Sequence, residues 1–207
     1  MDDFDYTVER LKINLQKDLP GFKVQQRMAP SFRVGPSMHH NQNPNTRESA
    51  VLIAIYPDNR QAQTILIKRA VYNGAHSGQV SFPGGKKESF DKTLIETALR
   101  EAEEEIGIDP KTVEVIGTLT PLFVPVSNLT VLPVVGIMAK PNELHPNLQE
   151  VEYTITANLS DFKSRDNISV KTICIGNLPI SAPFYAVKNE VVWGVTAMII
   201  SELTALY

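Results

Sequence analysis

Four glutamates and one arginine crowd into the run Arg100-Glu101-Ala102-Glu103-Glu104-Glu105. Carried on a helix, at about 100° per residue, they do not spread evenly. Glu101, Glu104 and Glu105 fall on one arc, Ile95, Leu99, Ala102 and Ile106 fall on another, and Glu96 and Glu103 point away from both. Like charges at i,i+3 and i,i+4 destabilise a helix by roughly 0.2–0.5 kcal/mol per pair. A hard divalent cation removes that repulsion and prefers carboxylate oxygen. The pattern therefore reads as a metal site laid along one helix face, against the blander reading of a solvated charged face. Two neighbours favour the site. Arg100 sits in the same turn and can hold a carboxylate oriented. Gly84-Gly85 lies upstream, where backbone without a Cβ can approach a ligand or metal closely.

Residues 100–108, Arg-Glu-Ala-Glu-Glu-Glu-Ile-Gly-Ile, resemble the second half of the Nudix box, Arg-Glu-U-x-Glu-Glu-x-Gly-U with U apolar. Every specified position matches, with Ala102 and Ile108 as U. The first half departs, since the stretch from Gly85 to Arg100 is one residue longer than the consensus. The consensus glutamate falls on Asp91 or on Glu88. Further upstream, Ile65-Leu66-Ile67-Lys68-Arg69-Ala70, Gly78 and Phe82-Pro83-Gly84-Gly85 resemble the extra motif of the coenzyme A diphosphatase branch of Nudix hydrolases. Ile67 stands where that motif has Thr, and Gly74 where it has a second Arg.

The resemblance implies a Nudix fold, an α/β/α sandwich around a mixed β-sheet. It implies Mg²⁺- or Mn²⁺-dependent hydrolysis of the diphosphate bond of coenzyme A or its derivatives, to 4′-phosphopantetheine and adenosine 3′,5′-bisphosphate. The metal ligands would be Glu101, Glu104 and Glu105, with the Gly84 carbonyl, and Arg100 would orient a glutamate through a bidentate pair. The general base is left between Glu101 and a later acid, Glu150 or Glu152. Arg69, Lys68, His76 and Gly85 are the candidates for substrate contact. Because Gly74 replaces an arginine, Arg69, Lys68 or another base must serve the phosphates, or the substrate has shifted to NADH, ADP-ribose or a nucleotide sugar. A binding module without chemistry, and an isomerase on a related fold, are the other readings.

The elements that would position these residues follow from pattern. Residues 6–19 repeat Val8, Leu11, Leu15 and Leu19 at helical spacing, before Pro20-Gly21. Residues 22–49 are polar and proline-bearing, a loop with short extended pieces, in which His39-His40 is a surface pair. Residues 50–56 and 64–69 are apolar runs around a turn at 57–59, a hairpin ending at Lys68 and Arg69. Gly107 ends the acidic helix. Strands are expected over 113–120, 131–139, 150–155, 170–175 and 184–187, and a closing helix over 193–206. Cys174 is expected to pack within its apolar strand. The whole reads as one domain over 1–207, with the box region at 84–108.

Composition narrows the partners. A formal charge of −3 over 207 residues shows no basic footprint for nucleic acid. The single cysteine excludes an internal disulfide framework. No apolar run approaches the roughly 20 residues that span a bilayer, and the acidic N-terminus has no apolar signal core. The expected setting is cytoplasmic, the partner a small nucleotide, and a homodimer is compatible with the sequence.

Overall fold

Asp2 opens the first helix, its carboxylate accepting from the Asp5 N–H at 2.9 Å. The computed structural model describes residues 1–33, 45–74, 76–175 and 178–207. The His39-His40 pair lies outside the described residues. Helix α1 (Asp3–Asn14) buries Thr7 and Leu11. It starts earlier than the apolar repeat predicts, because the cap lies at Asp2, and it stops at Asn14, short of Leu19. A short α2 (Phe22–Gln25) follows.

Strands β1 (Arg47–Asp58) and β2 (Gln61–Arg69) form the expected hairpin. Its turn lies at Asn59-Arg60, both at positive φ, rather than at 57–59. Pro57 and Asp58 still pair with Ala62 and Gln61. Two left-handed residues in a two-residue loop match the right-handed twist of the strands they join. Then come β3 (Val80–Ser81), β4 (Gly84–Lys86) and the acidic helix α3 (Leu94–Ile106). Next are β5 (Glu114–Thr118), β6 (Leu122–Val124), β7 (Leu129–Ile137) and β8 (Val151–Asn158). The chain closes with β9 (Ile168–Ile175), β10 (Leu178–Val187), β11 (Glu190–Trp193) and α4 (Gly194–Thr204).

The main sheet runs β3-β2-β1-β7-β5, with β4 also on β1, β6 on β7 and β8 on β2. It is mixed: β1 and β7 are parallel and the other pairs antiparallel. Strands β9, β10 and β11 make a separate antiparallel sheet. Side chains alternate across β1 with period two. Leu52, Ala54 and Tyr56 enter one core with Ala98, Ala102 and Ile106 of α3. Ile53 and Ile55 enter the other with Met198, Ile199 and Leu203 of α4. Burial on both faces explains why β1 reads as a continuous apolar run. The architecture is the expected α/β/α sandwich. On α3 the buried stripe is centred on Ala98, Ala102 and Ile106, so Ile95 and Leu99 flank it half-buried.

Candidate active site

Helix α3 is set by its start. Thr93 accepts from the Glu96 N–H, and Glu96 reaches back to the Thr93 N–H, a capping box. Gly107 closes it at φ 77°. Between β4 and this cap, Asp91 turns inward and is buried. It takes Arg100 in a bidentate pair, Nε to Oδ1 at 3.0 Å and Nη2 to Oδ2 at 2.9 Å. The Thr97 hydroxyl and the Glu88 N–H also donate to it. Arg100 beside it holds its carboxyl far below the usual range. So Asp91, rather than Glu88, occupies the loop-acid position. The bidentate partner of Arg100 is this aspartate, not a glutamate. Arg100 reaches the glutamates through one nitrogen only: Nη1 lies 2.9 Å from both Glu101 and Glu104.

The three glutamates expected on one face have separate surroundings. Glu105 is buried beneath β4, because consecutive helical positions differ by about 100°. It accepts from the Gly84 N–H at 2.7 Å and pairs with Arg69 at 3.1 Å. Burial pushes its carboxyl up to about 7, with Arg69 and the Gly84 N–H opposing and Glu101 and Glu150 adding. Glu101 is also raised, first by burial, against the pull of Arg100, with Glu104 and Glu150 repelling. Glu104 is the exposed one. The glycines are explained sterically. A Cβ on Gly84 would strike the β1 backbone at Ala50 and Val51, and a Cβ on Gly85 would strike the Glu101 carboxylate.

These groups form one wall of a cavity of about 1060 Å³. Arg69, Gly84, Gly85, Arg100, Glu101, Glu104 and Glu150 line it on the charged side. Val124, Val126, Trp193 and Val195 line it with apolar surface. His76 also lines it, its ring nitrogens 3.2 Å from Gln79 Oε1 and 3.3 Å from Ser127 Oγ. Lys68 does not join this wall. It pairs with Glu190 at 2.8 Å, because alternation along β2 turns it from the face that Arg69 uses. Glu152 is likewise absent from the lining. The β2–β8 register shifts there, Lys68 facing Tyr153 while Arg69 faces Val151, so Glu152 is the extra residue of a bulge. Cys174 is exposed and lines the cavity, contrary to the expected packing role. It lies in β9, the end strand of the smaller sheet. At Gly74 a Cβ would come 2.6 Å from the Tyr72 ring, so Tyr72, another lining residue, covers the place of a side chain at 74. Tyr72 and Phe90 were not singled out by sequence; exposed aromatics in loops carry no periodic signal.

The donor set fits a hard divalent cation, being carboxylate oxygen throughout. Among the described residues no three acids or imidazoles already surround one point. Arg100 Nη1 stands between Glu101 and Glu104, where it balances the charge a cation would balance. Glu105 has both oxygens engaged by Arg69 and Gly84, so Glu101 and Glu104 are the more available donors.

The profile of the NUDIX domain matches residues 46–161, more than half of the chain. An uncharacterized Nudix hydrolase NudL of Photorhabdus laumondii is 36% identical over 159 residues, 77% of this chain and 84% of the relative. Nudix hydrolase 22, chloroplastic, of Arabidopsis thaliana is 37% identical over 215 residues, 99% of this chain and 67% of the relative. Among solved structures, a MutT/nudix family protein of Enterococcus faecalis aligns with TM-score 0.49 at 14% identity, covering 94% of this chain and 71% of that one. The domain profile and the relatives define a hydrolase of diphosphate bonds in nucleoside diphosphate derivatives. The chain belongs to the Nudix hydrolase family.

Proposed function

We propose that this Nudix hydrolase cleaves the diphosphate bond of coenzyme A or a derivative, releasing 4′-phosphopantetheine and adenosine 3′,5′-bisphosphate. The observation that carries this reading is the mixed lining of the cavity. Charged Arg69, Glu101, Glu104 and Glu150 line it together with apolar Val124, Trp193 and Val195. Coenzyme A has a matching layout, a diphosphate flanked by a nucleotide and a weakly polar pantetheine arm. The upstream motif supports the same substrate, since Arg69, Gly78 and Phe82 to Gly85 keep its spacing.

In this reading Glu101 and Glu104, with Glu105 behind them, hold Mg²⁺ or Mn²⁺. When bound, that ion supplies charge neutralisation at the diphosphate and activation of water. Arg69 stands at the edge of the charged wall and meets a phosphate oxygen. Arg100 keeps its fork on Asp91 and so fixes the helix face that carries Glu101 and Glu104. Glu150, which lines the same cavity, is the proposed general base, with Glu101 as the other candidate. Residues 1–207 act as one unit, because α2 and α4 cover the sheet face opposite α3. The proposed setting is cytoplasmic. Among the described residues no helix is long and apolar enough to cross a membrane.

A second reading has one observation behind it. Tyr72 covers Gly74, where the motif has arginine, and this favours another nucleotide diphosphate such as NADH or ADP-ribose. Purified protein with Mg²⁺ and a panel of coenzyme A, acetyl-coenzyme A, NADH, ADP-ribose and a nucleoside triphosphate separates the two. Fastest release of adenosine 3′,5′-bisphosphate from coenzyme A, abolished in Glu104→Gln and by chelation, is the expected result. Preference for another member moves the substrate and keeps the chemistry. Unchanged turnover in Glu104→Gln would sink the metal assignment.

A further inference from the structure

Phe90 is 68% exposed, although it is large and apolar. Its backbone is not loosely placed. Asp91, the next residue, is buried and tied to Glu88, Thr97 and Arg100. Those bonds fix the turn on which Phe90 stands. The Arg100 guanidinium carbon lies 5.4 Å from the ring centroid, within cation–π range. Phe90 lines the same cavity as Arg69, Glu101, Glu104 and Glu150. The chain therefore holds a flat aromatic surface in the open, on a fixed support, beside the wall assigned to the diphosphate.

We propose that Phe90 is the stacking platform for the substrate's nucleobase. This rests on the diphosphatase reading for its substrate class and extends it by placing one end of the substrate. Any nucleobase has a π-face, and stacking on an aromatic side chain stabilises it largely regardless of base identity. The pantetheine arm has no such face and gains less from a ring. The apolar wall of Val124, Val126, Trp193 and Val195 suits that arm better. With the diphosphate at the carboxylates, the base lies on the Phe90 side of the cavity and the arm on the Trp193 side. Arg100 serves both ends, since the group that anchors Asp91 also backs the ring.

The test uses ligands that are not hydrolysed. AMP and ribose 5-phosphate differ only in the base. Calorimetric titration compares wild type, Phe90→Ala and Phe90→Trp, with melting temperatures confirming that each variant is folded. Phe90→Ala should weaken AMP by ~10-fold, the size of one lost stacking contact. Ribose 5-phosphate should be unaffected, and Phe90→Trp should keep AMP binding and show indole quenching. Equal weakening of both ligands, no weakening of AMP, or no measurable AMP binding to wild type would each overturn the proposal. If coenzyme A is not cleaved but the AMP pattern holds, the substrate reading fails and the base platform stands.

Discussion

Replacing Asp91 with asparagine keeps its shape and removes its charge. Asp91 accepts four hydrogen bonds, from Arg100 Nε, Arg100 Nη2, Thr97 and the Glu88 N–H. Asparagine has one acceptor oxygen, so at least one donor of Arg100 or Thr97 then faces an NH₂ group. Hydrogen bonds to charged groups contribute about 1.5–3 kcal/mol each, and neutral ones about half that. Losing the charge from two and the geometry of one sums to roughly 2–4 kcal/mol. That range already allows for the partial exposure of Arg100, whose freed charge finds some water. For a chain of this size the melting temperature should fall by roughly 5–15 °C. Activity should fall as well, because a freed Arg100 can fork onto Glu101 and Glu104 and compete with the cation. Urea unfolding and Mg²⁺ titration of turnover measure the two effects. A variant within about 0.5 kcal/mol of wild type, with unchanged Mg²⁺ dependence, would refute the anchoring role of Asp91.

Gly85→Ala should change the melting temperature little and reduce turnover sharply, because the nearest atoms its Cβ meets are those of the Glu101 carboxylate; equal turnover would remove Glu101 from the site. Ile106→Ala, at a fully buried position, should cost about 2–5 kcal/mol in urea unfolding. The half-buried Leu99→Ala should cost about 1–2 kcal/mol, and a reversed order would mean the helix face is misassigned. Lys68→Met should lower stability by about 1–2 kcal/mol at pH 7 without altering KM. Lys68 and then Tyr153 hold Glu190 below its ordinary 4.5, so that contribution is present above pH 4.5 and fades as pH falls below it. Melting curves of wild type and Lys68→Met should therefore converge as pH falls below 4.5; a constant gap would contradict the ion pair.

What was legible in the sequence was what is local. The α3 helix and the β1–β2 hairpin each lie within one short window, and each forms where it is expected, although the hairpin turn moves to Asn59-Arg60, the buried stripe of α3 is centred on Ala98, Ala102 and Ile106, and the expected Gly84-Gly85 turn is strand β4. Other features depend on partners far along the chain. Asp91 and Glu88 could not be separated by counting, and burial against Thr97 and Arg100 separates them. The choice between Glu150 and Glu152 hangs on a bulge whose other strand, β2, lies some 80 residues away. Lys68 and Arg69 are both basic at a strand end, and the face each takes depends on Glu190 and Glu105. Cys174 reads as core from its apolar neighbours, yet its strand belongs to a second sheet that leaves it open to the cavity. Residues 22–49 read as loop with short extended pieces, but α2 lies there, and its Gln25 bonds the buried Glu202 of α4 at 2.8 Å.

The division of labour within Arg100 would let an acidic helix be stable and still take the proposed cation. Nε and Nη2 are committed to Asp91, and Nη2 also to the Lys86 carbonyl. Only Nη1 touches Glu101 and Glu104. A cation at those carboxylates, as proposed, would displace contacts of one nitrogen and leave the fork between loop and helix in place. Glu105 is held by the opposite arrangement. Its partners, Arg69 and the Gly84 N–H, come from β2 and β4, so it ties the helix to the sheet. Three residues of one type, four positions apart at most, thus do different work. Glu105 fixes the distance between helix and sheet. Glu101 is half-buried against Gly85 and held in aim. Glu104 is exposed and able to follow a ligand. The helix phase decides which is which, since a rotation of one residue would bury Glu104 and free Glu105.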